Sequence, residues 1–493
     1  MPRKRHRVCA SPSGGKAVLP GRLITGARAY TNPAFEVGSR LTEVTDINAR
    51  GHSRKFFGQP MALAYLSFTE AWERFSYYGM TSILVLYMSQ ALLMPGHVEG
   101  IVGFTGFRAA LESVFGPMTT LALASQIMGL YTGLVYFTPV LGGWVADRLI
   151  GRRAAVMLGA VLMSAGHLAM AFDASFLLAL LLLITGSGLL KGNISSQVGE
   201  LYPESDGEAR TRAFAIFSVG INVGAVLGPL LVGLLAQLYG WHAGFGLAGA
   251  LMLIGLITYV AGFRYLPSDR ARRDLVQTKP ALDRRQWRIV GALAVVSAIT
   301  IFQSIGYFQN TNMALVWINR NVDLNLLGFH VPVAWFNSID PLASILGVPL
   351  LLALWRFQAA RGGEPDDLGK IGTGAFLAAA ANLVLVAACM TGTGISALAP
   401  LLYDIILGIA FLYYWPTLLA LVSRAAPARV KATLMGAVFL TLFVSNTIIG
   451  RLGALYEHMM PATFWAMHAG IAAIGGVLAF GLRRPLKRAL EIN

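Results

Sequence analysis

Cysteine, charge and acidic residues are all scarce in this chain, and each scarcity excludes something. The two cysteines, Cys9 and Cys389, lie far apart, one in a polar stretch and one in an apolar one. No disulfide framework and no cysteine-spaced metal site follows from them. The eight histidines are scattered without metal spacing, so neither a metal nor an organic cofactor is expected. Charged residues make up only 13% of the chain while 56% is hydrophobic, against roughly 25% charged in soluble domains. No acidic residue precedes Glu36. Residues 1–57 are basic and Gly/Ser-punctuated, and little fixed structure is expected there. Their composition also suits an organelle-targeting peptide or an overextended start. The short apolar core and small-residue cleavage site of a secretory signal are missing, so a cleavable one is not expected.

What is abundant is apolar sequence in long runs. Twelve stretches, at about 60–93, 119–146, 154–172, 175–200, 211–238, 243–263, 288–318, 331–356, 370–391, 395–423, 430–456 and 461–482, are each long enough to cross about 30 Å of hydrocarbon. The expected class is an all-α polytopic membrane protein. A soluble enzyme is excluded, and no histidine cluster or Ser/Lys pair near an interface points to a membrane-embedded one. Six spans (58–263) precede the longest charged connection (264–287) and six follow it (288–483), with a basic tail at 484–493. Such a six-plus-six division implies two similar halves with a ligand site between them. In the connection 96–118, Phe107–Phe115 suits a short interfacial helix.

The net charge of +15 does not signal nucleic acid. With twelve spans, 34 of the 39 Lys and Arg fall on one side, and the opposite loops hold only Arg108 and Arg320. That asymmetry places both termini in the cytoplasm, with the bilayer and its anionic lipids as the partners of the basic loops.

Several basic and acidic groups stand out because they lie within spans. Glu70-Ala-Trp-Glu73-Arg74-Phe-Ser-Tyr77-Tyr78-Gly79 sits in the first. Glu70, Glu73, Arg74 and Tyr77 share one helical face, and a charge at membrane depth costs roughly 2.5–3.5 kcal/mol, so the stripe must face a bundle interior. Lys191, in Gly186-Ser-Gly188-Leu-Leu-Lys191-Gly-Asn193 of span four, needs an anion, and that stripe is the expected partner. Arg451, toward the outer end of span eleven, is explained by snorkelling. Gly142-Gly143-Trp-Val-Ala-Asp147-Arg148-Leu-Ile-Gly151-Arg152 forms the turn after span two. Its glycines permit close helix approach and a tight turn, and Asp147 either caps the next helix or pairs with an arginine.

These motifs, in this order and spacing over roughly residues 58–480, resemble the proton-dependent oligopeptide transporter family, the peptide branch of the major facilitator superfamily. The resemblance implies the major facilitator fold and a proton-coupled symporter that imports di- or tripeptides by alternating access, as a monomer. It implies proton coupling through Glu70, Glu73, Arg74 and Lys191, and capture of a peptide carboxylate by Arg74 and Lys191. Tyr77, Tyr78, Tyr136, Asn222 and Ser218 would line the pocket, and Gly142, Gly143, Asp147, Arg148, Gly151 and Arg152 would stabilise one facing state. The implied membrane is a bacterial inner membrane.

The chain departs from that family at the substrate. Ser218 stands where a Tyr is usual in span five, and Thr81 and Phe308 replace a charged outer pair. In span ten Phe411 takes the place of the glutamate that holds the peptide amine. Conversely, span eight reads Asn337-Ser-Ile-Asp340-Pro341, with a carboxylate where a neutral residue is usual, and span ten adds Asp404. Asp340 therefore either replaces the missing acid or accepts backbone bonds freed by Pro341. A same-fold transporter of a non-peptide organic molecule is the alternative reading. His167 and His468 are read as packing groups.

Overall fold

The computed structural model describes residues 55–56, 58–203, 206–267, 281–326, 328–392 and 394–491. Nearly all of the 1–57 tail and positions 268–280 of the linker therefore lie outside the described residues. The described chain is built from long helices: α1 Met61–Tyr87, α2 Thr120–Val145, α3 Arg152–Ala169, α4 Phe176–Glu200, α5 Gly207–Tyr239, α6 Trp241–Gly262, α7 Arg284–Phe308, α8 Ile339–Ala360, α9 Asp367–Cys389, α10 Leu398–Ala425, α11 Lys431–Gly453 and α12 Pro461–Gly481. Ten of these segments are long and apolar enough to cross a membrane. The other two are α1, with three charges, and α3, which opens on Arg152-Arg153. Strands are confined to two-residue pairings, such as Val322–Asp323 with Ile395–Ser396.

Helix starts follow from local chemistry. Thr119, Asp206 and Asp366 each accept a first-turn backbone N–H, and Asp283 forms a reciprocal capping box with Gln286. The connection between α1 and α2 carries the expected short helix, Phe104–Phe115. One feature differs from the sequence expectation. Span seven is not continuous: after Phe308 the chain makes a turn of 3-10 helix over Gln309–Thr311 and resumes as Met313–Asn321. The cause is the run Gln309-Asn-Thr-Asn312, whose side chains supply bonds that a continuous helix does not need; Gln309 Oε1, for example, accepts the Met313 N–H at 3.4 Å. The basic C-terminal tail is largely helical. Arg483–Leu490 is a helix with Leu486 and Leu490 buried. Arg483 and Lys487 pair with Asp366, and Glu491 pairs with Arg288 at 2.8 Å.

Small residues set the packing, as they do between apolar helices in lipid. Along α5, a Cβ on Gly220, Gly224 or Gly228 would lie 2.8, 2.6 and 2.5 Å from the carbonyl oxygens of Ser67, Ala71 and Phe75 of α1. The α5 backbone therefore rests on the stretch of α1 that bears Glu70, Glu73 and Arg74, and any side chain there would lift it away.

The halves meet toward one end. We call it the far end, opposite the linker between α6 and α7. Ser125 Oγ donates to Gly450 O at 3.1 Å and Thr132 Oγ1 to Asn446 Oδ1 at 2.9 Å, joining α2 to α11. Trp335 Nε1 donates to Leu230 O at 2.9 Å, Ser338 Oγ to Val226 O at 2.7 Å, and Gln237 Nε2 to His330 O at 2.7 Å, joining α5 to the segment that leads into α8. Thr119 and Glu457 add a further bond. The bonds named here between the halves run from the far end as far as Thr132–Asn446 on the α2–α11 side and Ser338–Val226 on the α5–α8 side. On the α2–α11 side the Phe137 and Phe443 rings also meet, at 5.4 Å.

Candidate functional site

On α1 the expected stripe is buried: Glu70 is 5%, Glu73 0% and Arg74 7% exposed. Arg74 Nε lies 3.1 Å from Glu70 Oε1 and also contacts Glu73 Oε2. These are charge contacts without hydrogen-bond alignment. Both Glu73 oxygens, Glu70 Oε2 and Arg74 Nη2 have no hydrogen-bond partner. A buried ionic group built only for packing would have those atoms satisfied. This one keeps acceptors open for a proton and a guanidinium donor open for an anion.

Lys191 does not pair with the carboxylates, which corrects the expected ion pair. Its ammonium lies over the Tyr77 ring at 4.4 Å and the Tyr136 ring at 5.4 Å, while the Arg74 guanidinium lies 5.4 Å from the same Tyr77 ring. Tyr77 is thus shared by two cations. Ring faces attract cations but do not neutralise them, so the Lys191 ammonium remains open to an incoming anion, while Arg74 is held by Glu70 and Glu73. Tyr78 packs edge-on against Tyr77 at 5.2 Å. Tyr131, which sequence reasoning missed, backs the other side of Tyr77 at 6.4 Å and is 2% exposed.

The opposite wall comes from the C-terminal half. Tyr136 meets Phe308 at 6.1 Å across the two halves, and Phe308 packs against Tyr307 at 4.9 Å. The Tyr307 hydroxyl donates to Asp340 Oδ2, and Asn310 Nδ2 donates to the same oxygen at 3.3 Å. Asp340 is 6% exposed and accepts from these side chains, not from backbone freed by Pro341. The helix break at Gln309 is what turns Asn310 to it. Tyr307 and Asn310 were missed in the sequence; the polar run at 309–312 was the available signal. Phe411 stacks on Tyr307 at 5.4 Å, an apolar wall beside the carboxylate.

Ser218 and Asn222 lie one turn apart on α5, exposed and half-buried, and no hydrogen bond ties either to this centre. Thr81 is buried and its hydroxyl donates to Tyr77 O at 2.9 Å. Near the linker end, the turn motif divides. A Cβ on Gly142 would collide with the Gly188 backbone of α4, whereas Gly143 faces open space. Gly151 adopts φ +81°, a conformation that favours glycine. Asp147 does not cap α3. It accepts from Arg152 at 3.1 Å, and Arg152 also pairs with Glu200 of α4, while Arg148 lies 5.9 Å over Trp144. His468 bonds Gln309 and Phe464 O, both at 2.9 Å; His167 is fully buried.

A model of the POT family matches residues 153–281 and 277–466. An uncharacterised transporter of Bacillus subtilis is 30% identical over 88% of this chain and 96% of its own length. A di-/tripeptide transporter of Lactococcus lactis subsp. cremoris is 28% identical over 90% and 99%. Among solved structures, a peptide transporter POT in complex with sulfate superposes with a TM-score of 0.78 at 27% identity, covering 90% of this chain and 99% of that one. A variant POT peptide transporter in complex with alafosfalin does so at 0.75 and 28%, with the same coverage.

Proposed function

The chain belongs to the POT family and is an integral multi-pass membrane protein of the major facilitator fold, and from that premise we propose that it imports di- or tripeptides or peptide-like molecules together with protons, by alternating access. The observation that carries the reading is the buried Glu70–Glu73–Arg74 group with unsatisfied hydrogen-bonding atoms, set beside a Lys191 that rests on tyrosine rings and makes no direct ion pair among the described residues. In the proposed cycle a proton neutralises Glu73 or Glu70. Arg74 then loses its counter-charge and, with Lys191, engages the peptide carboxylate. The ligand amine takes Asp340, at the other end of the Tyr136–Phe308–Tyr307 row of rings. Because the halves are joined toward the far end, the conformation described is read as facing the linker side, where substrate and proton leave. We read that side as the cytoplasm, holding both termini, and the membrane as a bacterial inner one. Coupling needs no cofactor beyond the proton, and one protomer holds the complete site. Nothing in the reading requires catalysis.

The test separates the two poles. Dialanine, its amide (amine only) and N-acetylalanine (carboxylate only) are titrated onto the purified protein and its Lys191→Gln and Asp340→Asn variants. The reading expects Lys191→Gln to weaken the two carboxylate ligands alone and Asp340→Asn the two amine ligands alone. Loss of all three in both variants, or of none, contradicts it. Phe411 favours one second reading, a carboxylate substrate without an amine; N-acetylalanine binding as tightly as dialanine would select it.

A further inference from the structure

Two carboxylates are buried close together in the C-terminal half, where α8 and α10 touch. Gly408 permits the approach: a Cβ there would lie 2.5 Å from Asp340 O and 3.2 Å from Asp340 Oδ1. Asp404 stands one turn before Gly408 on the same face of α10. It is 2% exposed and within electrostatic reach of Asp340.

Donors reach the two carboxylates unequally. Asp340 receives Tyr307 and Asn310. Asp404 has no hydrogen bond and no ion pair among the described residues. Tyrosines lie within electrostatic reach of Asp340 from three elements, Tyr307 on α7, Tyr403 and Tyr414 on α10, and Tyr78 on α1, and Tyr403 is within reach of Asp404 as well; among the described residues no Lys, Arg or His pairs with either carboxylate. Two further buried atoms there are unsatisfied: Asn310 Oδ1, an acceptor, and the hydroxyl of Tyr403, which is 0% exposed. A neutral carboxylic acid can donate its hydrogen to such an acceptor, which an ionised carboxylate cannot.

We infer that Asp340 and Asp404 form a second proton-binding site, in which one proton is held by the pair and one negative charge remains. Two neighbouring carboxylates in an apolar interior do not both ionise, and an ionised carboxylate without partners takes up a proton instead of staying bare. Asp340, with two donors, keeps the charge. Asp404, with none, keeps the proton. No bond other than O–H changes: the proton comes from water and returns to it. The inference deepens the transport reading, since it gives the C-terminal half the single negative charge that one ligand ammonium neutralises, and it rests on that reading only for this role.

Infrared difference spectra of the reconstituted protein, titrated from acid to alkaline pH without any substrate, test it directly. The expected result is a protonated-carboxyl C=O band that Asp404→Asn removes and Asp340→Asn shifts. Asp404→Glu keeps the carboxyl and moves the band, which serves as the check should the Asn variant fail to fold. A spectrum unchanged by Asp404→Asn, or by Asp404→Glu, overturns the proposal. Because no ligand is present, that failure is distinct from failure of peptide binding, which is measured separately on the wild-type protein.

Discussion

The two halves bury charge in opposite ways. The N-terminal half places two carboxylates, Glu70 and Glu73, with two cations, Arg74 and Lys191, and both cations touch the ring of Tyr77. The C-terminal half places two carboxylates, Asp340 and Asp404, with hydroxyl and amide donors only. A compensated centre can respond to a proton by exchanging partners, because every charge has an alternative neighbour. An uncompensated centre has no such choice, so its balance must come from a proton or from a ligand's cation. In the proposed cycle this difference gives coupling to the first half and amine selection to the second.

The largest effect that breaks this comparison is expected at Glu73. One charge crossing about 100 mV is worth roughly 2.3 kcal/mol, enough for about 50-fold accumulation. In Glu73→Gln that accumulation should vanish, while exchange of labelled for unlabelled substrate persists; the two assays on the same vesicles check it. Next is Lys191→Gln. Removing a charge-assisted contact costs about 1.5–3 kcal/mol, so the KM for uptake of carboxylate-bearing ligands should rise about tenfold to a hundredfold. Asp340→Asn should act more weakly, roughly tenfold on amine-bearing ligands, because Tyr307 and Asn310 still hold the amide in place.

The smallest effect concerns a carboxylate outside both centres. Asp173 sits in the far-end connection between α3 and α4, where Tyr87 and His242 bond it, the latter at 2.9 Å, and His97 approaches to 3.5 Å. Burial pushes its carboxyl up, but these donors outweigh it and hold it below the usual range. Its contribution to stability is therefore present above the ordinary carboxyl range and lost as pH falls through the lowered value. The melting-temperature difference between wild type and Asp173→Asn should be constant near neutrality and close in acid, amounting to at most about 1 kcal/mol for so accessible a group.

Much of this was legible in the sequence, for a physical reason. A membrane span advertises itself through length and hydropathy, and a charge inside one must have a function or a partner, so Glu70, Glu73, Arg74, Lys191 and Asp340 could be singled out without coordinates. What could not be read was how those groups meet. Lys191 settles on the rings of Tyr77 and Tyr136 instead of a carboxylate, and only the α2–α4 approach that Gly142 and Gly188 allow decides that. Asp340 draws its donors from Tyr307 and Asn310, thirty residues upstream, across a helix break whose mark in the sequence is four polar residues. Gly142 and Gly143 look equivalent in the chain, yet only Gly142 faces a neighbouring backbone. Partners distant along the chain leave no periodicity to read.

The central claim is proton-driven peptide import, and uptake of labelled dialanine into proteoliposomes with and without an inside-alkaline pH gradient tests it most directly. The account predicts accumulation above the external concentration only with the gradient, abolished by a protonophore. Equal uptake with and without the gradient, or no uptake by demonstrably folded protein, would contradict it.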